Sequence, residues 1–242
     1  MKETPTLLLV HGAWHGPWCW EKLTPELDRL GFKWATVKLP SIGHDGPPTG
    51  GVAEDAAAID AAVERISGDV VVVAHSYGGV PTTQATLGPR VKHIVYLGAF
   101  MPDIGQSLVN LLPPGPLPPF VQGNADGTTT VAAGHEVATF YADCTAADAA
   151  WAVAKLRPHN GIVNVTPVTR ASWRERTSTY VMLTEDFACP TAIQPGLAKQ
   201  ATDSRTIEGS HSPFLAQPTL LAEMLADIAA QYANGNGMRM TG

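Results

Sequence analysis

Along the chain, short and almost uninterrupted apolar runs alternate with longer stretches whose apolar residues recur every three or four positions. Residues 6–10, 32–39, 70–74 and 91–97 are runs of the first kind. Residues 17–30 space Trp20, Leu23, Leu27 and Leu30 at helical intervals, and residues 52–66 set Ile59, Val63 and Ile66 on one face among alanines. A further helix is predicted over 78–87. Apolar strands separated by helices indicate a parallel sheet covered on both faces. Right-handed crossovers would then align the strand C-terminal ends along one edge, where such sheets carry their sites.

The rhythm breaks at Met101 and Pro102. Residues 112–119 are dominated by proline, 123–130 are polar, and 146–156 again read as a helix. A long insertion in a compact domain is functional or disordered, and Phe120, Phe140, Tyr141, Trp151 and Trp173 favour an ordered cap. The sheet pattern resumes at 179–184, followed by a helix near 190–201, a strand at 204–207 and an amphipathic helix over 218–232. The expected organisation is a core of residues 1–102 and 176–233, a cap of 103–175 and a flexible, Gly- and Asn-rich tail of 234–242. The stretch 113–119 reads as a rigid hinge of the cap, with a homodimer edge as the alternative.

A chain of 242 residues suits one domain, and 45% hydrophobic with 16% charged residues is a globular composition. The net charge of -6 carries no basic cluster, which argues against a nucleic-acid or anionic-membrane partner. No apolar run reaches bilayer-spanning length. Cys19, Cys144 and Cys189 lack the spacing of a disulfide framework or a zinc site, so no metal is expected. With no signal-peptide pattern ahead of residue 6, the expected compartment is the cytoplasm.

The candidate chemistry starts at Ser76. A β-branched run ends in Ala74, His75, Ser76, Tyr77, Gly78 and Gly79, the layout of a strand-to-helix elbow that lifts one serine Oγ above the sheet edge. Small residues two before and two after the serine suit such a turn, here Ala74 and Gly78. A phosphate-binding turn is the competing reading, but neither G-x-G-x-x-G nor a P-loop lysine is present. An activated serine needs a base, and the base an orienting acid. His211, in a Gly/Ser loop after the last strand, is the candidate base, whereas His44, His135 and His159 read as surface loop residues. Asp186, after the strand 179–184, is the favoured acid. Glu185 beside it points to the opposite side, and Asp103 is the runner-up. The backbone N–H groups of Ala13 and Tyr77 are the candidate oxyanion donors, with His11 bracing the first loop. Trp14, His15, Phe100, Met101, Phe120, Phe140, Trp151 and Phe214 are the candidate pocket residues.

The order Ser76, Asp186, His211 is that of the α/β-hydrolase fold, and the chain resembles that superfamily. More narrowly it resembles the branch holding plant methylesterases, the salicylic-acid-binding esterase and α-hydroxynitrile lyases. The resemblance is carried by residues 10–20, 74–79, 184–186 and 209–211 and covers the core, with no equally specific match in the cap. It implies an α/β fold with a mostly parallel sheet, helices on both faces and an inserted cap. It also implies a triad of Ser76, Asp186 and His211. Plant-type lyases of the branch carry a threonine after the first-loop histidine and a lysine after the catalytic histidine. Gly12 and Ser212 stand there in this chain, and both departures point to hydrolysis. The implied activity is a cofactor-free, serine-dependent hydrolysis of a small, apolar or aromatic carboxylic ester. The rival readings are a hydroxynitrile lyase, a cofactor-free dioxygenase, thioesterase or lactonase on the same scaffold, and a non-catalytic small-molecule receptor.

Overall fold

A computed structural model describes residues 4–233 of the chain, so the tail expected to be flexible, 234–242, lies outside the described residues. The strands are β1 (Thr6–Val10), β2 (Trp34–Thr36), β3 (Val70–His75), β4 (Val91–Leu97), β5 (Val121–Gly123), β6 (Thr128–Val131), β7 (His159–Asn160), β8 (Ser178–Leu183) and β9 (Asp203–Ile207). Among the described residues, six of them form one parallel sheet in the order β2-β1-β3-β4-β8-β9. β1 and β3, both interior strands, are buried at every position. Each fully buried Val or Leu side chain there contributes about 1.5–3 kcal/mol. The edge strand β9 is mostly exposed and bears Asp203 and Arg205, charges that discourage pairing with another sheet.

The helices are α1 (Leu23–Arg29), α2 (Val52–Arg65), α3 (Gly79–Gln84), α4 (Leu108–Leu111), α5 (Glu136–Phe140), α6 (Ala146–Val153), α7 (Gln194–Ala198), α8 (Pro213–Ala216) and α9 (Pro218–Ala230). Right-handed crossovers put α1 on one face of the sheet and α2 and α3 on the other. The packing agrees, since α1 lies against α9 and α2 against α3. Leu221, Ala222, Leu225, Ile228 and Ala229 form the buried stripe of α9. The register pairs Val10 with Ala74 and His75 with Leu97. The loops after β1, β3, β8 and β9 therefore leave the sheet at one edge.

Several elements are shorter than the apolar pattern predicts. The helix expected over 17–30 is a 3-10 turn at Pro17–Trp20 followed by α1. Pro25 has no N–H to bond Glu21, so a continuous helix cannot run through it, but it fits the first turn of a new one. Pro81 and Pro195 likewise sit in the first turns of α3 and α7. Of the strand expected over 32–39, only Trp34–Thr36 pairs with β1. The polar stretch 123–130 contains a hairpin rather than a plain loop. β5 and β6 pair antiparallel, and β7 extends them into a three-stranded sheet. At the turn Gly127 has φ 82, and the Thr128 N–H bonds the Asp126 carboxylate at 3.0 Å. His159, expected on the surface, is fully buried in β7.

Candidate active site

Ser76 sits at the end of β3 with φ 54, a left-handed conformation for a non-glycine residue. Such a conformation costs about 1–3 kcal/mol and persists only where the surroundings enforce it. Here they do. A Cβ on Gly78 would sit 2.6 Å from the His11 carbonyl oxygen, and one on Gly79 2.2 Å from that of Phe100. The Phe100 N–H bonds the Ser76 carbonyl at 3.1 Å. Trp14, in the loop after β1, is a second residue at positive φ, 59. Its indole N–H reaches the Thr129 carbonyl at 3.1 Å and the Thr129 hydroxyl at 3.2 Å, and its own carbonyl accepts the Arg157 N–H at 2.9 Å.

Asp186 and His211 meet at the same edge. The His211 Nδ1–H donates to Asp186 Oδ2 at 2.8 Å, with both side chains buried. A carboxylate accepts only, so this bond carries its proton on Nδ1. The other Asp186 oxygen accepts the N–H groups of Ala188 and Cys189, each at 2.8 Å. Gln194 locks this turn by donating to the Cys189 carbonyl at 2.8 Å and accepting the Leu183 N–H at 2.8 Å. Glu185 is exposed. The runner-up Asp103 is bound to Arg174, with one bond of 2.8 Å from Nε, and makes no contact with His211.

His75, which the sequence reading passed over, is the residue that joins these parts. Its Nε2–H donates to the His211 carbonyl at 2.9 Å, and the two rings lie 4.4 Å apart. The candidate base is thus fixed through its backbone by the residue preceding Ser76. The signal was available in its position beside Ser76. Burial drives the pKa of His75 well below its usual value, and brings His11 to about 3 and His15 to about 4. These three imidazoles are neutral at pH 7. His11 bonds the Gly12 carbonyl at 3.1 Å and accepts the Leu39 N–H at 3.4 Å, so it ties the first loop down.

A narrow cavity of about 50 Å³ opens beside Ser76. Ala13 and Tyr77, the candidate donor residues, line its wall together with Ser76. Trp14, Phe100, Phe120 and Phe140 also line it. The other four candidate pocket residues do not. His15 stacks on Trp18, Phe214 packs on His75 and Trp20, Met101 is buried, and Trp151 sits edge-on to Trp18. Leu108, Val109, Leu112, Leu117 and Pro118 line the cavity in their place. The proline-rich segment is therefore in part a wall of the cavity, a role hidden by its lack of periodicity.

Comparison with known proteins fits this geometry. The sequence profile described as the Alpha/beta hydrolase family matches residues 7–224. The alpha/beta hydrolase nvfD of Aspergillus novofumigatus is 29% identical, covering 94% of this chain and 97% of its own. Methylesterase 7 of Arabidopsis thaliana is 26% identical over 93% of this chain and 96% of its own. An alpha-hydroxynitrile lyase of the same plant is 25% identical over 96% and 100%. The crystal structure of a pyrethroid hydrolase from Sphingobium faniae superposes with a TM-score of 0.81 at 21% identity, covering 96% of this chain and 99% of that one.

Proposed function

The chain belongs to the alpha/beta hydrolase family, and we propose that within it the protein is a serine carboxylic-ester hydrolase working through an acyl-enzyme. The observation that carries this reading is the buried Asp186–His211 hydrogen bond at the sheet edge where Ser76 is held in its left-handed turn. His211 Nε2 takes the Ser76 proton as Oγ bonds to the ester carbonyl carbon. The carbonyl electron pair becomes an oxyanion, received by the N–H groups of Ala13 and Tyr77. Collapse breaks the bond to the alcohol oxygen, which leaves with the proton from Nε2. Water then repeats the sequence on the acyl-enzyme. Asp186 holds the imidazole tautomer and stabilises its charged form.

The cavity wall is almost wholly apolar and bears no charged side chain, which suits a neutral, small or aromatic ester. The surroundings of Gly12 favour hydrolysis over cyanohydrin cleavage. A Cβ there would sit 2.8 Å from Ser76 Cβ, so a threonine of the lyase type has no room. Hydrolysis of p-nitrophenyl esters from acetate to hexanoate, by wild type beside Ser76→Ala, tests the reading. Turnover is expected for wild type, greatest for the short acyl chains, and absent in the variant. Full turnover in Ser76→Ala would overturn the mechanism, and cyanide release from mandelonitrile without ester turnover would make the protein a lyase.

A further inference from the structure

The site has a contact from the cap at each end, and both come from four consecutive residues. At one end, the Tyr141 hydroxyl donates to His15 Nε2 at 2.7 Å, and the His15 Nδ1–H donates to the Ala13 carbonyl at 2.7 Å. The carbonyl acceptor fixes the His15 tautomer, which in turn fixes Tyr141 as donor, and all three residues are buried. At the other end, Asp143 accepts the Ser210 N–H at 2.9 Å on one oxygen and the Ser210 hydroxyl on the other. Ser210 directly precedes His211 and is 1% exposed, while Asp143 lies at the surface. Between them, the Phe140 ring packs on His211 and on Trp14 at 5.7 and 5.8 Å. The chain leaves room for this approach, since a Cβ on Gly209 would meet Asp143 Oδ2 at 2.8 Å.

We propose that the cap turn 140–143 positions the reacting groups, with Tyr141 holding the oxyanion loop through His15 and Asp143 holding the histidine loop through Ser210. The proposal rests on the serine-hydrolase reading above. Neither residue touches the reacting atoms, so both are positioning residues. Each hydrogen bond stiffens a loop that carries one half of the machinery, and the two halves are set against each other by one rigid turn. A misplacement of about 1 Å is worth roughly a hundredfold in rate.

The test compares wild type, Ser76→Ala, Tyr141→Phe, Asp143→Ala and Asp143→Asn on p-nitrophenyl acetate, with melting temperatures alongside. Tyr141→Phe and Asp143→Ala are each expected to lower kcat about ten- to hundredfold. KM should stay within about a factor of two, the split of groups that act on the transition state alone. Asp143→Asn keeps an acceptor for Ser210 and is expected to restore most of kcat. Asp143→Asn is expected to melt near wild type, whereas Asp143→Ala removes the acceptor of the buried Ser210 N–H and hydroxyl and is expected to melt a few degrees lower while staying folded at assay temperature. Unchanged kcat in folded Asp143→Ala and Tyr141→Phe overturns the proposal, as does a rise in KM at constant kcat or an asparagine variant no better than alanine. The low-field proton resonance of the His211 Nδ1–H gives a reading independent of turnover. It should persist in Ser76→Ala and shift or broaden in Asp143→Ala, and an unmoved resonance overturns the clamp. Retained hydrolysis in Ser76→Ala overturns the serine reading instead, so the two failures are distinguishable.

Discussion

At the scale of single residues, Gly12 sets how closely the first loop can approach the elbow. A methyl group there would meet Ser76 Cβ at 2.8 Å, His75 Nδ1 at 3.1 Å and Ser76 Oγ at 3.3 Å. None of these neighbours can yield cheaply. Ser76 is fixed by its backbone turn, and His75 is bonded to the His211 carbonyl. Gly12→Ala must therefore push the first loop away from Ser76. The expected cost is about 1–3 kcal/mol of stability from overpacking and a fall in kcat of about a hundredfold. Gly46→Ala is the control, since a Cβ there meets nothing within 4 Å. It should stay within about 0.5 kcal/mol of wild type. Thermal melts and ester kinetics on the two variants read this directly, and a Gly12→Ala enzyme with wild-type kcat would show that the loop has slack.

At the scale of elements, α2 presents a carboxylate on its buried stripe. Asp55 stands among Val52, Ala56 and Ile59. It accepts the Ser41 N–H at 2.9 Å, the Ser41 hydroxyl at 2.5 Å and the Tyr77 hydroxyl at 2.7 Å. The helix thus holds both the loop after β2 and Tyr77, the residue after Ser76. Burial raises the Asp55 pKa from 3.8 to about 6 against the pull of these hydrogen bonds. With the folded value above the unfolded one, the folded state binds the proton more tightly. The associated stability is present below about pH 4 and is lost as pH rises through about 6. Asp55→Asn removes this titration, while the bonds it loses add an offset that does not vary with pH. The stability of wild type relative to the variant should then fall between pH 4 and 7 by up to about 3 kcal/mol. Urea denaturation at a series of pH values measures it, and a difference flat across that range would refute the assignment.

The same scale explains what the chain discloses before folding. The strands of the sheet are legible because burial on both faces leaves unbroken apolar runs at 7–10 of β1 and 70–74 of β3. Ser76, Asp186 and His211 are legible as small-residue turns and strand ends in one order along the chain. Helix ends are less so, because Pro25 and Pro195 sit in the first turns of helices that start later than the apolar spacing alone predicts. The β5–β6 hairpin hides behind threonines, with Asp126 and Gly127 as its one local signal. The contacts of the site with the cap have no local signal at all. Tyr141 is separated from His15 by 126 positions, and Asp143 from Ser210 by 67, so only the folded chain reveals them.

For the whole molecule, the question is whether the segment 103–175 moves as a lid. Its apolar residues Phe140, Tyr141, Ala149, Ala152 and Val163 belong to one continuous cluster with the sheet. Backbone bonds cross the seam at Gly43 to Pro158, Asn160 to Ser41 and Arg157 to Trp14, each 2.9 Å. Trp173 adds an indole bond of 2.9 Å to the Pro102 carbonyl, and Trp14 one to Thr129. Opening the segment as a body would expose the cluster and break these bonds together, at a cost close to that of unfolding the core beside it. Substrate would then enter past the rim, where Leu117 is both part of the cavity wall and 54% exposed. The prediction is one cooperative unit. In rising urea below the unfolding midpoint, hydrogen-exchange peptides covering α5 and α6 should lose protection together with those covering β3 and β4. Earlier loss in α5 and α6 would establish a separately opening lid, and access to Ser76 would then be gated by that motion.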